Sequence, residues 1–436
     1  MIEPKLLKGF RDSLPEEELL RKTFIARIEA ALRSFGYVPI DTPTLEYKEI
    51  LMGKSGEETD KQLFTFQDKG DREVGLRFDL TVPLARFVAA NEQHLVFPFK
   101  RFHIAKVWRG EKPQRGRYRE FYQADFDIIG SDSISADVEI LSLVMELLGG
   151  LGVHNFKIHA NDRSLVHTIM EKEGLLEFES RILQIVDKIY KIGAEEVERQ
   201  LCELVGETHI PALAFLTKGI TNPSEFFAQI KNKYELNNIR LEQVYQVFQA
   251  RNLAHQIVID PAITRGLDYY TGLVYETFLD DALSLGSISS GGRYANLTSL
   301  FSKTSHSGIG GSIGLDRLLA YLIEKGTFAG TQAHADVLVI NFSEQDLPLY
   351  CNVAAELRKS GLSVEVFPGQ AKLKKQFSYA DAKRIRFAII MGEDEIKAGK
   401  IKVKNLAAHE EKVFASVQEF ILLECAWQKP PKTLPT

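Results

Sequence analysis

VWRGEKPQRGRYREFYQADFDI, Val107 to Ile128, changes character at its midpoint. Counting Lys106 just before it, six basic residues come first: Lys106, Arg109, Lys112, Arg115, Arg117 and Arg119. Gln123, Asp125 and Asp127 follow. In an extended chain, side chains two apart share a face. Arg117, Arg119, Phe121, Gln123, Asp125 and Asp127 then lie on one side, with Tyr118, Tyr122, Ala124, Phe126 and Ile128 opposite. Such a strand is either part of a sheet with one solvated face or the floor of a ligand site. A floor that is cationic at one end and anionic at the other suits a ligand with an anionic group and an amine or ring N–H. The Gly and Pro residues between Arg109 and Arg117 mark a connection between two strands. That connection is a solvated hairpin tip, unless Arg109 at the strand end is held for bidentate phosphate binding. In LRFDLTV (Leu76–Val82) the same alternation sets Arg77, Asp79 and Thr81 against Leu76, Phe78, Leu80 and Val82.

Outside this stretch, size and composition set limits. A chain of 436 residues is expected to hold two or three domains. A hydrophobic fraction of 44% and a charged fraction of 26% belong to a soluble globular protein. A formal net charge of −5 excludes a uniformly basic nucleic-acid coat but leaves room for a local basic patch. Cys202, Cys351 and Cys425 are dispersed, so neither a disulfide framework nor a zinc site is expected, and a reducing cytoplasm fits. The ten histidines show no paired-ligand spacing, so no transition metal is expected. The first residues, MIEPKLLKGFRDSLPEEELLRK, lack the apolar core of a signal peptide. The most apolar run, ILSLVMELLGGLGV, has 14 residues and contains Glu146, too short to span a bilayer.

Periodicity divides the chain. Residues 15–35 carry Leu19, Leu20, Phe24, Ile25, Ile28 and Leu32 at helical spacing, with acids at the start and Gly36 as the stop. Residues 63–130 read mostly as strands, beginning with a hairpin over LFTFQDKGDREVGLRFDL. Residues 162–255 are helical and charged, an insertion between strand-rich segments. Strands are expected at 257–278 and 286–291, and a helix at about 313–325. From Ala335 strands and helices alternate as in an α/β unit, with a last helix near 414–424. Residues 371–405 hold ten Lys or Arg against four Asp or Glu, either a phosphate-binding face or a solvated helix face.

Arg109-Gly-Glu111 followed by Arg117-Tyr-Arg-Glu-Phe121 resembles motif 2 of the class II aminoacyl-tRNA synthetases. GSIGLDRLL, with Arg317, resembles their motif 3, and residues 15–43, ending at Pro43, resemble motif 1. RGLDYYTGLVYE (Arg265–Glu276) and SSGGRYANL (Ser289–Leu297) resemble the two signature segments of the histidyl-tRNA synthetase family. LKGFRDSLPEE and LRFDLTVPLARF resemble its N-terminal segment and its amino-acid-binding strand. The resemblance covers nearly the whole chain. Two departures stand out: Asp316 in place of the usual Glu of motif 3, and Ala295 in place of the usual Asp of the second signature.

The resemblance implies an α+β catalytic domain with an antiparallel sheet, the class II synthetase fold, over 1–161 and 256–328. It also implies a helical insertion at 162–255 and an anticodon-binding α/β domain at 334–427, and the tail QKPPKTLPT at 428–436 is expected from its residues to be disordered. The resemblance implies a homodimer, packed through the motif 1 helix, in the cytoplasm. The substrates would be ATP with Mg2+, L-histidine and tRNA(His). Arg109 and Arg265 would flank the α-phosphate as the catalytic pair. Arg317 would hold the adenine or the γ-phosphate, Phe121 would stack on adenine, and Glu111 would meet its amino edge. Arg117 would reach ATP or the tRNA acceptor end, and Lys112 and Arg115 tRNA. Asp79, Thr81 and Gln123 would take the α-amino group, Asp127 the ring N–H, and Tyr269 or Tyr270 the other ring contact. A runner-up is a non-catalytic synthetase-like regulatory subunit of histidine biosynthesis. Such chains lack the anticodon-binding domain and degrade the RGLDYY segment, and this chain keeps both. A plain nucleotide-binding α/β protein is the third reading, without a GxxxxGK[ST] loop to support it.

Overall fold

A computed structural model of the chain describes all residues except 53–61, 114–115, 265–269, 296, 303, 327–334 and 426–436. Arg115, Arg265, Tyr269 and the tail 428–436 therefore lie outside the described residues. Contacts divide the chain into two units, Met1–Thr327 and Phe328–Thr436.

Helix α1 (Pro15–Ser34) begins with a proline that needs no intrahelical N–H partner, and Glu16, Glu17 and Glu18 sit at the positive end of its dipole. Gly36, at φ +81°, turns the chain left-handed after it. Phe24, Ile28 and Leu32 form a fully buried stripe, and Arg21, one turn earlier, is buried with them. This stripe is covered within the chain, largely by the helix over Ile134–Gly150. Leu19 stays exposed on α1, and Leu20 and Ile25 partly so.

Strands β1 (Val38–Pro39), β2 (Leu45–Tyr47), β3 (Thr65–Gln67) and β4 (Glu73–Leu76) come next. The last three form an antiparallel sheet in the order β2-β4-β3. Its β3–β4 hairpin closes on Asp68 Oδ1, which accepts the amides of Gly70 and Arg72. The strand alternation expected through Leu76–Val82 does not occur. β4 ends at Leu76, and Thr81 opens helix α2 (Thr81–Asn91). Asp79 is the reason: its Oδ1 accepts the amides of Thr81 at 3.1 Å and Val82 at 3.0 Å. A side chain that satisfies the orphan donors of a helix start competes with the sheet ladder.

β5 (Phe99–Trp108) and β6 (Glu120–Ile129) flank the loop of the quoted stretch. Helix α3 (Ile134–Gly150), β7 (Phe156–Asp162), a helical segment ending in α4 (Arg240–Ala250), and β8 (Ile257–Ile259) follow. β9 (Tyr270–Leu279), β10 (Ser289–Tyr294), β11 (Gly308–Gly314) and helix α5 (Leu315–Glu324) complete the first unit. Eight strands form one sheet in the order β1-β5-β6-β11-β10-β9-β7-β8. The six central strands pair antiparallel, and β1 and β8 add parallel edges. This is the antiparallel sheet that the class II resemblance leads one to expect. The helical segment between Arg163 and Ala250 has an apolar cluster of its own, centred on Val166, Met170, Ile182, Val186, Val197 and Leu213.

Glycine lets large side chains cross this sheet. A Cβ on Gly310 would stand 2.0 Å from Asp127 Oδ1, and one on Gly311 1.9 Å from the Tyr275 hydroxyl oxygen. Opposite them, a buried ion network ties helices to strands. Arg293 of β10 reaches Asp137 of α3 through Nε at 2.9 Å and Nη2 at 2.6 Å. Arg240 of α4 meets the other carboxylate oxygen at 2.5 Å. Asp137 is fully buried.

The second unit is a five-stranded sheet in the order β13-β12-β14-β15-β16. β12 (Val337–Val339), β13 (Val364–Val366) and β14 (Phe387–Ile390) are parallel, while β15 (Ile401–Asn405) and β16 (Glu410–Phe414) turn antiparallel. Alternation along β12 and β14 sends Val337, Val339, Phe387 and Ile389 to one core, with Tyr350 and Leu357 of helix α6 (Leu347–Lys359). Leu338, Ile340, Ala388 and Ile390 go to the other, with Ala380 of helix α7 (Leu373–Ala382). β16 was not foreseen from sequence, because Glu410 to Val413 are all exposed and EEKVF shows no apolar alternation.

Removing the Asp137 carboxylate leaves two guanidiniums facing a buried gap. Asp137→Ala is expected to cost about 3–5 kcal/mol of unfolding free energy, read by urea denaturation. A loss below about 1 kcal/mol would show the network to be a bystander.

Candidate active site

β6 is the floor of the site, and its neighbours decide what it can hold. Gln123 stands opposite Ala105 of β5 and Gly314 of β11. Asp125 stands opposite His103 and Ser312, and Asp127 opposite Arg101 and Gly310. The face is not solvated, because Asp125 and Asp127 are each 4% exposed.

At this end the charge balance is negative. Asp127 lies 2.5 Å from Arg101 Nη2 and accepts the Tyr294 hydroxyl at 2.9 Å. Burial pushes the Asp127 carboxyl up, against the pull of Arg101. It pushes Asp79 up as well, opposed by the amides of Val82 and Thr81 and by Arg109. Asp125 is pushed to about 7 by burial, opposed by Arg101 and a hydrogen bond with Ser312, and reinforced by Asp127 and Asp79. Arg101 is fully buried among them. Thr81 opens α2 beside Asp79, and Tyr270 begins β9 as a buried residue. Here the structure brings together Asp79, Thr81, Gln123 and Asp127.

At the other end the balance is positive. Arg109 leaves β5 with Nε donating to the Phe78 carbonyl at 3.2 Å. Its guanidinium lies 4.5 Å from the Phe78 ring centroid and 5.2 Å from that of Phe121. Glu111 lies 3.9 Å from Arg109 and 3.8 Å from Arg117. Arg317, on the first turn of α5, donates to the Ser287 carbonyl. A Cβ on Gly286 would be 3.6 Å from Arg317 Nη1 and 3.9 Å from Arg117 Nη2, so these two cations approach one point. Burial and repulsion from Arg117 and Arg109 drive Arg317 down to about 10, against the pull of Glu111 and Glu276. Three guanidiniums that raise one another's cost are an anion site waiting for charge.

Two expectations about the strand are corrected. β6 starts at Glu120, so Arg117 and Arg119 do not continue its face. Arg119 is a structural tie: its Nε donates to the Glu111 carbonyl at 3.1 Å, and its stem packs under Gly9. Lys106 is held by Glu120 at 2.7 Å.

Other residues join the site that the sequence did not assign to it. Asp316, the motif 3 departure, accepts the Tyr122 amide at 2.7 Å, Arg11 at 2.8 Å and Arg21 at 3.2 Å. It pins α5, and so Arg317, to β6 and to the N-terminal segment. Arg21 had a signal, since its helical spacing puts it on the Phe24–Ile28–Leu32 stripe. Arg101 and His103 had one too, as polar residues alternating with Phe102 and Ile104 in β5. Ser312 and Tyr294 had none beyond their place in the resemblance. Among the described residues no cluster of three or more His, Cys, Asp or Glu could hold a metal ion. Glu111, the acid among these arginines, faces two guanidiniums, so its surroundings do not favour a resident cation.

Known proteins resemble this chain along most of its length. The family model "Histidyl-tRNA synthetase" matches residues 9–318, and "Anticodon binding domain" matches residues 336–422. The histidine–tRNA ligase of Treponema denticola is 44% identical over 428 residues, 94% of this chain and 96% of that one. The crystal structure of histidyl-tRNA synthetase from Nostoc sp. PCC 7120 superposes with a TM-score of 0.84 at 30% identity, covering 95% of this chain and 97% of that one. A Bacillus halodurans chain, described as an ATP phosphoribosyltransferase regulatory subunit/histidyl-tRNA synthetase, shares the fold. Its TM-score is 0.72 at 23% identity, covering 87% of this chain and 97% of that one.

The cross-strand pair His103 and Asp125 carries a pH dependence. Burial, with Arg101 and Arg77 nearby, lowers His103 from 6.5 to about 4. Its share of stability is present at high pH and is lost as pH falls from 6.5 towards about 4. Asp125 has the opposite sign: between 3.8 and about 7 the folded chain holds a proton that the unfolded chain releases, so stability falls as pH rises. The two nearly cancel where the windows overlap. Asp125→Asn removes the second, and stability should then fall on acidification by up to ~1.4 kcal/mol per pH unit more steeply than in the parent. Urea denaturation across the overlap reads this difference, and parallel curves would contradict it.

Proposed function

The chain belongs to the histidyl-tRNA synthetase family, and from that premise we propose the roles its residues take in histidine–tRNA ligation. The enzyme joins L-histidine to tRNA(His) at the expense of ATP. In the first step the histidine carboxylate attacks the α-phosphorus, and pyrophosphate leaves. In the second, the 3′-terminal hydroxyl of tRNA takes the histidyl group from the adenylate, and AMP leaves. The regulatory-subunit reading is not favoured, since full-length relatives are histidine–tRNA ligases.

The observation that carries the assignment is the opposed charge at the two ends of β6. The negative end suits the ammonium and ring N–H of histidine. Asp79, Thr81 and Gln123 are assigned to the ammonium, Asp127 to the ring N–H, and Tyr269 or Tyr270 to the other ring nitrogen. Asp127 is already aimed by Arg101 and Tyr294, which supports a fixed acceptor for one imidazole tautomer. A site of this kind rejects analogues lacking such a group by ~10⁴–10⁵ without editing, because they leave buried acceptors unpaired.

The positive end suits triphosphate. Arg109 is assigned to the α-phosphate, where the pentavalent phosphorus gains charge in the transition state, with Arg265 opposite it. Arg117 and Arg317 are assigned to the remaining phosphates or the adenine, with Phe121 and Glu111 on the base. Cations fixed in advance act by electrostatic preorganisation. Magnesium arrives bound to the β- and γ-phosphates, as part of the substrate. Catalysis is assigned to 1–161 and 256–328, the insertion to 162–255, and anticodon binding to 334–427, where the basic span 371–405 would meet phosphates. Lys112 and Arg115 would face tRNA. The enzyme is read as a cytoplasmic homodimer. Val38, Leu45, Tyr47 and Phe66, which stay exposed, would supply apolar contact to the second subunit. Among the described residues no helix is long and apolar enough to cross a membrane.

Purified protein is expected to catalyse histidine-dependent exchange between ATP and pyrophosphate. Its absence from folded protein would sink the catalytic reading. Arg265→Ala should lower the exchange kcat by about 10²–10³ while histidine binding, read by calorimetry, persists. Equal exchange rates in parent and variant would remove Arg265 from its assigned place.

A further inference from the structure

We infer that Ser312 and Asp125 form a positioning relay that orients the Gln123 side chain so that its carbonyl, not its NH2, faces the ammonium of bound histidine. The inference rests on the assignment of Gln123 to that ammonium. It concerns two residues that this assignment leaves unused.

Gln123 Nε2 donates to Ser312 Oγ at 3.0 Å. Ser312 stands directly opposite Asp125 across β11 and β6, and its hydroxyl hydrogen-bonds the Asp125 carboxylate. A serine hydroxyl has one proton to give. Above about pH 7 Asp125 is ionised, and an ionised carboxylate only accepts, so the proton goes to Asp125. Ser312 Oγ can then only accept from Gln123, and only the NH2 end of the amide can donate to it. The other end, Oε1, must point away from Ser312. It is buried and has no partner among the described residues, and the same holds for Asp125 Oδ1. A buried acceptor left unpaired costs about 1–3 kcal/mol, which an incoming ammonium offsets. The reversed amide would present two N–H groups to that ammonium and repel it. Nothing else on β11 can take over the relay, since the strand reads Gly308-Ile-Gly-Gly-Ser-Ile-Gly314.

The charged groups around Asp125 favour the same polarity once the ligand is bound. Arg101 and Arg77 oppose the three carboxylates Asp79, Asp125 and Asp127, and His103 is held neutral by burial and by these arginines. A ligand ammonium adds a positive charge to this set and favours ionised Asp125. Neither Ser312 nor Asp125 is required to touch the substrate.

The test uses histidine-dependent ATP–pyrophosphate exchange by the full chain. Ser312→Ala is expected to raise KM for histidine by about tenfold or more, with kcat and KM for ATP within about twofold of the parent. Asp125→Ala should do the same, while Asp125→Asn, whose Oδ1 can accept the same proton, should stay within about threefold. The desamino analogue of histidine, which lacks the ammonium, should inhibit parent and Ser312→Ala equally. An unchanged KM for histidine in Ser312→Ala overturns the relay. So does an equal weakening of histidine and the desamino analogue, which marks general damage to the pocket. Gln123→Ala separates the premise from the inference: if it leaves KM for histidine unchanged, the ammonium assignment itself fails. If it raises that KM and Ser312→Ala does not, only the relay fails. Should Asp125→Ala not fold, the Ser312→Ala comparison decides alone.

Discussion

Arg101 is fully buried beside Asp127, with Asp125 and Asp79 close enough to feel its charge. Arg101, with Arg77 beside Asp125, leaves the three carboxylates in excess of the buried guanidiniums, and burial makes the remainder expensive. The pocket is thus built with a deficit of positive charge. A few residues along the same hairpin, Arg109, Arg117 and Arg317 crowd together with the opposite deficit. Neither imbalance is removed by the protein itself. Under the proposed assignment each is relieved by one end of an amino acid being joined to a nucleotide, an ammonium at the first and phosphates at the second.

Holding such charges apart requires a stiff frame. β6 is paired on both sides, by β5 and β11, so the spacing between Gln123, Asp125 and Asp127 is that of a sheet and not of a loop. The glycines of β11 leave the space above that strand into which Asp127 and Tyr275 reach. Methyl groups there would collide with the side chains that define the pocket.

The cationic end has a different support. Arg317 lies at the start of a helix, and the residue before it, Asp316, accepts three donors from elsewhere in the chain. The shorter carboxylate does not leave this position idle. It draws in Arg11 and Arg21, so the N-terminal segment becomes part of the wall of the site. Arg119, by contrast, spends its donors on the carbonyls of Glu111 and Lys8. Arg117 and Arg119, two residues apart, thus do different work, and their contacts decide which faces an anion.

The sequence by itself determined the elements with strong periods: α1, the β3–β4 hairpin, β5 and β6, and the α/β order after Ala335. It also determined the family, through motifs spread along most of the chain, and with it the residues that gather at the site. Local patterns suffice there, because amphipathic spacing and turn residues act over a few positions. They failed where a side chain captured the backbone, as Asp79 does in ending the strand before α2, and where an edge strand such as β16 needs no apolar face. Only the tertiary structure decided which charges meet. That Arg101 pairs with Asp127, that Asp316 gathers Arg11 and Arg21, and that Ser312 stands between Gln123 and Asp125 all depend on strand register and crossing helices. These partners are up to hundreds of residues apart, and a partner at that distance leaves no trace in local pattern.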